Sequence, residues 1–272
     1  MSEDNTKYRP MQPGAQVGGA MRSAGGYKKG TLSCFVESYA QVRPGFDEVP
    51  FLPGHEPKWE KFWITCAHVV SSDNANIAGQ PLYQPAVLVD AFYLSHAGIG
   101  RCHAFGGKAD AALVLLNDQP VRTFSTASPA YTGGFNNKVL QWHVGLTKIG
   151  TAYAMDRVKM YGMESGKIEG TVAYDFHWTQ SDTDLQGFLV TSDSDIQEGD
   201  SGGPVFKGTG ELVGMITAAE KTNFKMLKCC HIQGVFDALS DALTTWYNST
   251  YPGNPATEKT GWKVGLRLAA TE

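Results

Sequence analysis

From Thr31 onward the chain is written in short apolar or alternating runs, separated by clusters of Gly, Pro, Asn and Asp. Thr31–Val36, Phe62–Cys66, Ala86–Tyr93 and Ala111–Leu116 form a first set. Val158–Tyr161, Gly170–Tyr174, Gly187–Thr191, Pro204–Phe206 and Leu212–Thr217 form a second. Runs of this length closed off by turn formers predict the strands of a sandwich or barrel. One segment departs from that texture. Ile232, Val235, Phe236, Leu239 and Leu243 recur at helical spacing and predict an amphipathic helix. Asn117-Asp118, Gly133-Gly134 and Asn136-Asn137 punctuate 117–150, which reads as the connection between the two sets. Residues 1–27 carry little apolar pattern and read as a leader lying over the surface. Residues 248–272, with Pro252, Gly253 and Pro255, read as a loose tail. The domain between them, 28–247, divides into a first β set to about 120, a linker to about 150, and a second β set with the helix.

Composition narrows the function classes. The chain has 272 residues, long enough to bury a sizeable core, and its 31 glycines suit a turn-rich β protein. A net charge of -4 leaves no basic footprint for nucleic acid. The longest apolar runs, such as Ala111–Leu116, are far too short to span a bilayer. The polar stretch Met1–Lys7 is followed by no apolar segment, so no secretory signal is expected. Five cysteines (Cys34, Cys66, Cys102, Cys229, Cys230) are an odd, sparse set, unlike a disulfide framework. A cytoplasmic chain with free thiols is the expectation.

Three segments carry chemistry. In Glu198-Gly199-Asp200-Ser201-Gly202-Gly203-Pro204-Val205, glycines surround a serine and allow a turn tight enough to aim N–H groups at an oxyanion. A serine hydroxyl also needs a base. His68, in Ile64-Thr65-Cys66-Ala67-His68-Val69-Val70, stands at the end of an apolar strand, and an imidazole is the residue type suited to serve as general base near neutral pH. Taken alone it reads as a hydrogen-bonded core histidine. Asp110, just before Ala111-Ala112-Leu113-Val114-Leu115-Leu116, reads alone as a strand-end turn residue, and its placement also permits a buried acid that orients an imidazole.

Together, Thr65-Cys66-Ala67-His68, Asp110-Ala111-Ala112-Leu113 and Gly199-Asp200-Ser201-Gly202-Gly203-Pro204 resemble the three catalytic motifs of trypsin-like serine peptidases, in that family's chain order. The resemblance spans roughly Gly30 to Leu243. It implies an all-β fold of two antiparallel six-stranded barrels with a C-terminal helix and the active site between the barrels. It further implies that Ser201 attacks the substrate carbonyl, His68 takes and returns the proton, and Asp110 holds the imidazole. The N–H groups of Gly199 and Ser201 would then form the oxyanion hole, with no cofactor. Gly30–Val36, Val158–Gly166 with Gly170–Val172, and the Ile232–Leu243 helix resemble the bacterial-type intracellular branch.

Departures from the secreted enzymes follow. Their activation frees an Ile or Val amine to pair with the Asp before the serine, here Asp200. The only candidate, Val17 in Gln16-Val17-Gly18-Gly19, has no basic residue before it, so no such cleavage is expected and Asp200 needs another partner. The cysteine that follows the histidine in those enzymes is Val69 here, and Cys34 and Cys66 are expected as free thiols on neighbouring strands.

Asp195 matches the pocket acid of Lys/Arg-specific trypsins, with Thr217, Ala218 and Ala219 along the pocket wall. The other reading is a solvated acidic turn, Asp193 to Glu198. Cys102-His103 and Cys229-Cys230-His231 hold zinc-ligand types, but adjacent residues of a strand face opposite ways, so buried packing thiols are expected and no metal. Asn248-Ser249-Thr250 fits a glycosylation sequon, which means little without a signal peptide. An α/β-hydrolase is excluded, since its acid and histidine follow the serine and its strands alternate with helices. The functional rival is a latched or non-catalytic peptide-binding scaffold on the same fold. Protein or peptide is the expected substrate, with no nucleic acid or membrane partner.

Overall fold

The computed structural model describes residues 10–23, 26–42, 60–70, 81–83, 98–106, 109–116, 135–180, 183–220, 222–250 and 261–270. The first part of the chain holds β1 (Gln16–Ser23), β2 (Gly26–Thr31), β3 (Cys34–Val42), β4 (Lys61–Cys66), the short helix α1 (Ala67–Val70), β5 (Pro81–Tyr83), β6 (Gly98–Gly106) and β7 (Ala111–Leu116). The second holds β8 (Lys148–Ile149), β9 (Arg157–Gly162), β10 (Gly166–Gln180), β11 (Thr183–Ser192), β12 (Pro204–Phe206), β13 (Glu211–Glu220) and β14 (Asn223–His231). Helix α2 (Ile232–Thr250) and β15 (Trp262–Leu268) complete it.

The expected all-β architecture forms as two sheets and a C-terminal helix. In the second, the order β12-β9-β10-β11-β14-β13 closes on itself through the β12–β13 pairing, a six-stranded barrel with β8 added in parallel to β13. The first sheet runs β15-β3-β4-β7-β6-β5-β1-β2 and so has eight strands among the described residues rather than six. Its centre explains the apolar runs: Phe62 to Cys66 of β4 and Ala111 to Val114 of β7 are buried without alternation, as in strands covered on both faces. Met160, Ile168, Val190, Val205, Val213 and Ile216 fill the second barrel. The expected Ala86–Tyr93 strand and most of the linker, 117–134, lie outside the described residues.

Both chain ends depart from the sequence expectation. The leader is not merely superficial: Met11, Ala15 and Val17 are fully buried, and β1 pairs with both β2 and β5. Nor is the tail loose throughout. Trp262 to Leu268 pair with Val42 to Val36 of β3, and Trp262 is fully buried. Helix α2 explains how the chain returns there. Its stripe of Ile232, Val235, Phe236, Leu239 and Leu243 is buried as expected, extended by Tyr247, and packs on β6 and β15 of the first sheet. Asn137 ties these parts together: its side chain accepts from Phe35 N (2.7 Å) and donates to Phe35 O and Ala269 O (2.9 Å each).

Candidate active site

The register of β4 against β7 sets the first half of the site. Cys66 faces Ala111 across the ladder, so the residues just beyond, Ala67-His68 and Asp110, meet at its end. Ala67 N donates to Asp110 O (3.0 Å). Asp110 has φ 42°, in the left-handed region that aspartate tolerates better than most residues. Both carboxylate oxygens then reach His68: Oδ1 accepts from its backbone N–H (3.1 Å) and Oδ2 lies 2.6 Å from Nδ1. With Nδ1–H donated to a buried carboxylate, the neutral ring presents Nε2 as an acceptor. The Asp110 side chain is 4% exposed and that of His68 is 25% exposed, so the acid is shielded and the imidazole is open to a reactant.

Two thiols back this pair. Cys66 Sγ donates to Ile216 O and Cys230 Sγ to Ala109 O, at 3.2 Å each. Burial, with the Asp110 charge adding to it, pushes the Cys66 thiol well up and the Cys230 thiol to about 12. Both stay protonated packing groups at neutral pH. Cys66, His68 and Asp110 place three possible metal donors within 4.8 Å, but Nδ1 is engaged by the carboxylate and Sγ by a carbonyl. Cys229 points into the second-barrel core, and His231 Nε2 pairs with Asp175 (3.2 Å). The side chains of Cys102 and His103 lie outside the described residues.

The second half is the turn before β12. Gly202, at φ 93°, lies so close to the first sheet that a Cβ there would sit 2.1 Å from Thr31 O and 2.5 Å from Thr65 Oγ1. Thr31 N donates to Ser201 O (2.7 Å) and Gly202 N to Ile216 O (2.8 Å), so the serine is held between β2 and β13. Its hydroxyl donates to Thr217 O (3.0 Å), and no hydrogen bond joins it to the His68 ring among the described residues. Asp200 N donates to Gln197 O (3.2 Å), whereas the N–H groups of Gly199 and Ser201 have no acceptor among the described residues.

Asp200, fully buried, has found its partners, and they are neutral. Oδ1 accepts from Glu164 N (3.0 Å) and Ser165 N (3.1 Å), and Oδ2 from Ser165 Oγ (2.5 Å) and Gln197 N (2.9 Å). Val17 is buried within β1 opposite Gly30. Of the residues assigned to a specificity pocket, Thr217 is buried and Ala218 and Ala219 are half-buried along β13. Asp195 is exposed, while its neighbour Ile196 enters the barrel core. Sequence reasoning missed Ser165 and Thr31, whose roles depend on chain segments far from the serine.

Residues 56–215, more than half of the chain, match the family model described as trypsin-like peptidase domain. The chain belongs to the trypsin-like peptidase family. The matched span takes in His68, Asp110 and Ser201. No curated protein matches the sequence. Among solved structures this peptidase is similar to Thermobifida fusca Protease A, at a TM-score of 0.50 and 12% identity, over 95% of this chain and 100% of that one. It is also similar to Cellulomonas bogoriensis chymotrypsin, at a TM-score of 0.48 and 14% identity, over 96% and 100%. The MamO protease domain from Magnetospirillum magneticum aligns at a TM-score of 0.46 and 17% identity, over 84% and 96%. At such identities the likeness is one of fold. A protease of this fold acts on proteins or peptides.

Proposed function

We propose that the protein is a serine endopeptidase in which Ser201 is the nucleophile, His68 the general base and acid, and Asp110 the residue that orients His68. The observation that carries this reading is the pair of unengaged backbone N–H groups, Gly199 and Ser201, at the turn that bears the serine. Two unengaged backbone N–H groups held in a hydrogen-bonded turn beside a nucleophile suit an oxyanion.

In the reaction, the Ser201 hydroxyl leaves Thr217 O and gives its proton to His68 Nε2 as Oγ bonds to the substrate carbonyl carbon. The carbonyl oxygen takes up the negative charge against the two N–H groups. Collapse breaks the peptide C–N bond, with the proton passing from His68 to the leaving amine. Water repeats the sequence on the acyl-enzyme. Leaving Thr217 O forfeits one hydrogen bond, about 1 kcal/mol, which a bound substrate readily offsets. Ala218 and Ala219 of β13 pair only with β14 among the described residues, which leaves β13 an edge for an extended peptide. Four free, buried thiols among the described residues suit a reducing compartment and support a cytoplasmic reading. Among the described residues no helix is long and apolar enough to cross a membrane.

The contact between Ser201 and Thr217, in place of one with His68, favours a second reading, a latched site. Labelling with a fluorophosphonate probe separates the two. The peptidase reading expects an adduct on Ser201, located by mass spectrometry and lost in Ser201→Ala. Folded protein that stays unlabelled speaks for the latch.

A further inference from the structure

Building on the serine-peptidase reading, we propose that Thr31 is a positioning residue that sets the oxyanion-binding peptide, contributed by the first sheet to a turn of the second. Thr31 ends β2 and is fully buried. Its backbone is committed on both sides, with N–H to Ser201 O (2.7 Å) and the carbonyl accepting from Thr65 Oγ1 (2.9 Å). Its hydroxyl does two further things. It donates to Gly199 O (2.9 Å) and accepts from Met163 N (3.1 Å).

Gly199 sits at φ 113° with no side chain to hold it, so the direction of its carbonyl decides how the turn is twisted. Thr31 Oγ1 takes that carbonyl, and the N–H at the other end of the same peptide unit, Asp200 N, is held by Gln197 O. With Ser201 O also on Thr31 N, both neighbours of the Asp200 backbone are pinned by one residue, while the Gly199 and Ser201 N–H groups have no acceptor among the described residues. Through Met163 N the same hydroxyl grips the β9–β10 turn, whose next two N–H groups hold Asp200. Lys29, two residues earlier on β2, adds an ion pair to Glu164 of that turn (2.6 Å). A hydroxyl is required because the position needs one donor and one acceptor at the same atom. Valine has the same shape but would leave Gly199 O and Met163 N–H buried and unpaired.

The test uses the full chain with Thr31→Val and Thr31→Ser. Three quantities are read: the rate of fluorophosphonate labelling, the affinity for a peptide boronate that forms a tetrahedral oxyanion mimic, and the affinity for an unreactive peptide competitor. Thr31→Val is expected to slow labelling and weaken the boronate roughly 10- to 100-fold, with competitor affinity within about threefold of wild type. Thr31→Ser is expected to stay within about threefold throughout. A purely structural role would lower the melting temperature without separating the two affinities. Folded Thr31→Val that labels like wild type, or a loss of about tenfold in Thr31→Ser, overturns the proposal. If Thr31→Val does not fold, Thr31→Ala, which also lacks the hydroxyl, takes its place under the same criteria. Wild-type protein that never labels overturns the peptidase reading and this proposal with it. Wild-type labelling alongside an unaffected valine variant overturns this one only.

Discussion

The hydroxyl of Ser165 donates to the fully buried Asp200 carboxylate at 2.5 Å, one of four neutral donors that surround this charge. No ammonium or guanidinium is among the four, and three of them come from the β9–β10 turn itself. Charge-assisted hydrogen bonds of this kind are about twice as strong as neutral ones, and three of the four are backbone groups that lose nothing in side-chain entropy. The turn next to Ser201 is thereby assembled without a freed N-terminus. Ser165→Ala should cost about 1.5–3 kcal/mol in urea unfolding, and Asp200→Asn more, because an amide N–H would then face N–H donors. Both variants should also label more slowly at Ser201. Wild-type labelling in Asp200→Asn would show that the carboxylate does not hold the turn.

Asp195 is exposed, unlike an acid that reads a substrate side chain from a desolvated slot. Exposed charges interact weakly and are screened by salt. Asp195→Ala is therefore expected to change the Lys/Arg preference in a peptide library by less than about tenfold. A collapse of basic-residue cleavage in that variant would place Asp195 in the pocket after all.

The parts of the site legible in the sequence were those written in contiguous residues. His68, Asp110 and Ser201 each lie in a short motif, and the ladder between β4 and β7 brings the first two together. The helix at Ile232 was legible for the same reason, a local period. Thr31 and Gly199 are 168 residues apart, and nothing local marks Thr31 as more than a strand residue. Nothing local marks Ser165 either, because its bond to Asp200 exists only once β9 and β10 have folded. At the C-terminus the alternating Trp262-Lys263-Val264-Gly265-Leu266-Arg267-Leu268 did carry a strand signal. The Pro and Gly residues just before it masked that signal. β1 has so many small residues that its period is invisible.

Alkaline pH should destabilise the fold through its buried thiols. Burial raises Cys34 to about 12, against an ordinary value near 9.0. Between those values the unfolded chain releases the proton and the folded chain keeps it. The folded state therefore binds more protons, and stability falls as pH rises. This thiol alone contributes a slope of about 1.4 kcal/mol per pH unit across that window, with its stabilisation fully present below pH 9. Cys34→Ala should be less stable at neutral pH because of the cavity it leaves. Its urea stability should nonetheless fall less steeply between pH 9 and pH 11 than that of wild type. Parallel curves for the two proteins would show that Cys34 ionises as easily folded as unfolded.

Asp110 offers the sharpest separation of catalysis from folding. Its two oxygens accept from the His68 backbone N–H and from Nδ1, a pairing that fixes both the ring orientation and the tautomer. Asn in its place keeps the size. It can still accept one hydrogen bond, but its amide group then faces the other donor. The ring can relieve that conflict by moving its proton to Nε2, which leaves it unable to take the Ser201 proton. Asp110→Asn is therefore expected to fold, with a melting temperature near that of wild type, and to lose on the order of 10⁴-fold in kcat at neutral pH. KM should change little, because the side chain is 4% exposed and meets no substrate. The measurement is steady-state cleavage of a peptide ester or amide alongside thermal melts. A variant that keeps more than about a tenth of wild-type turnover would mean that His68 does not depend on Asp110 for its tautomer, and the division of roles proposed for the pair would fail.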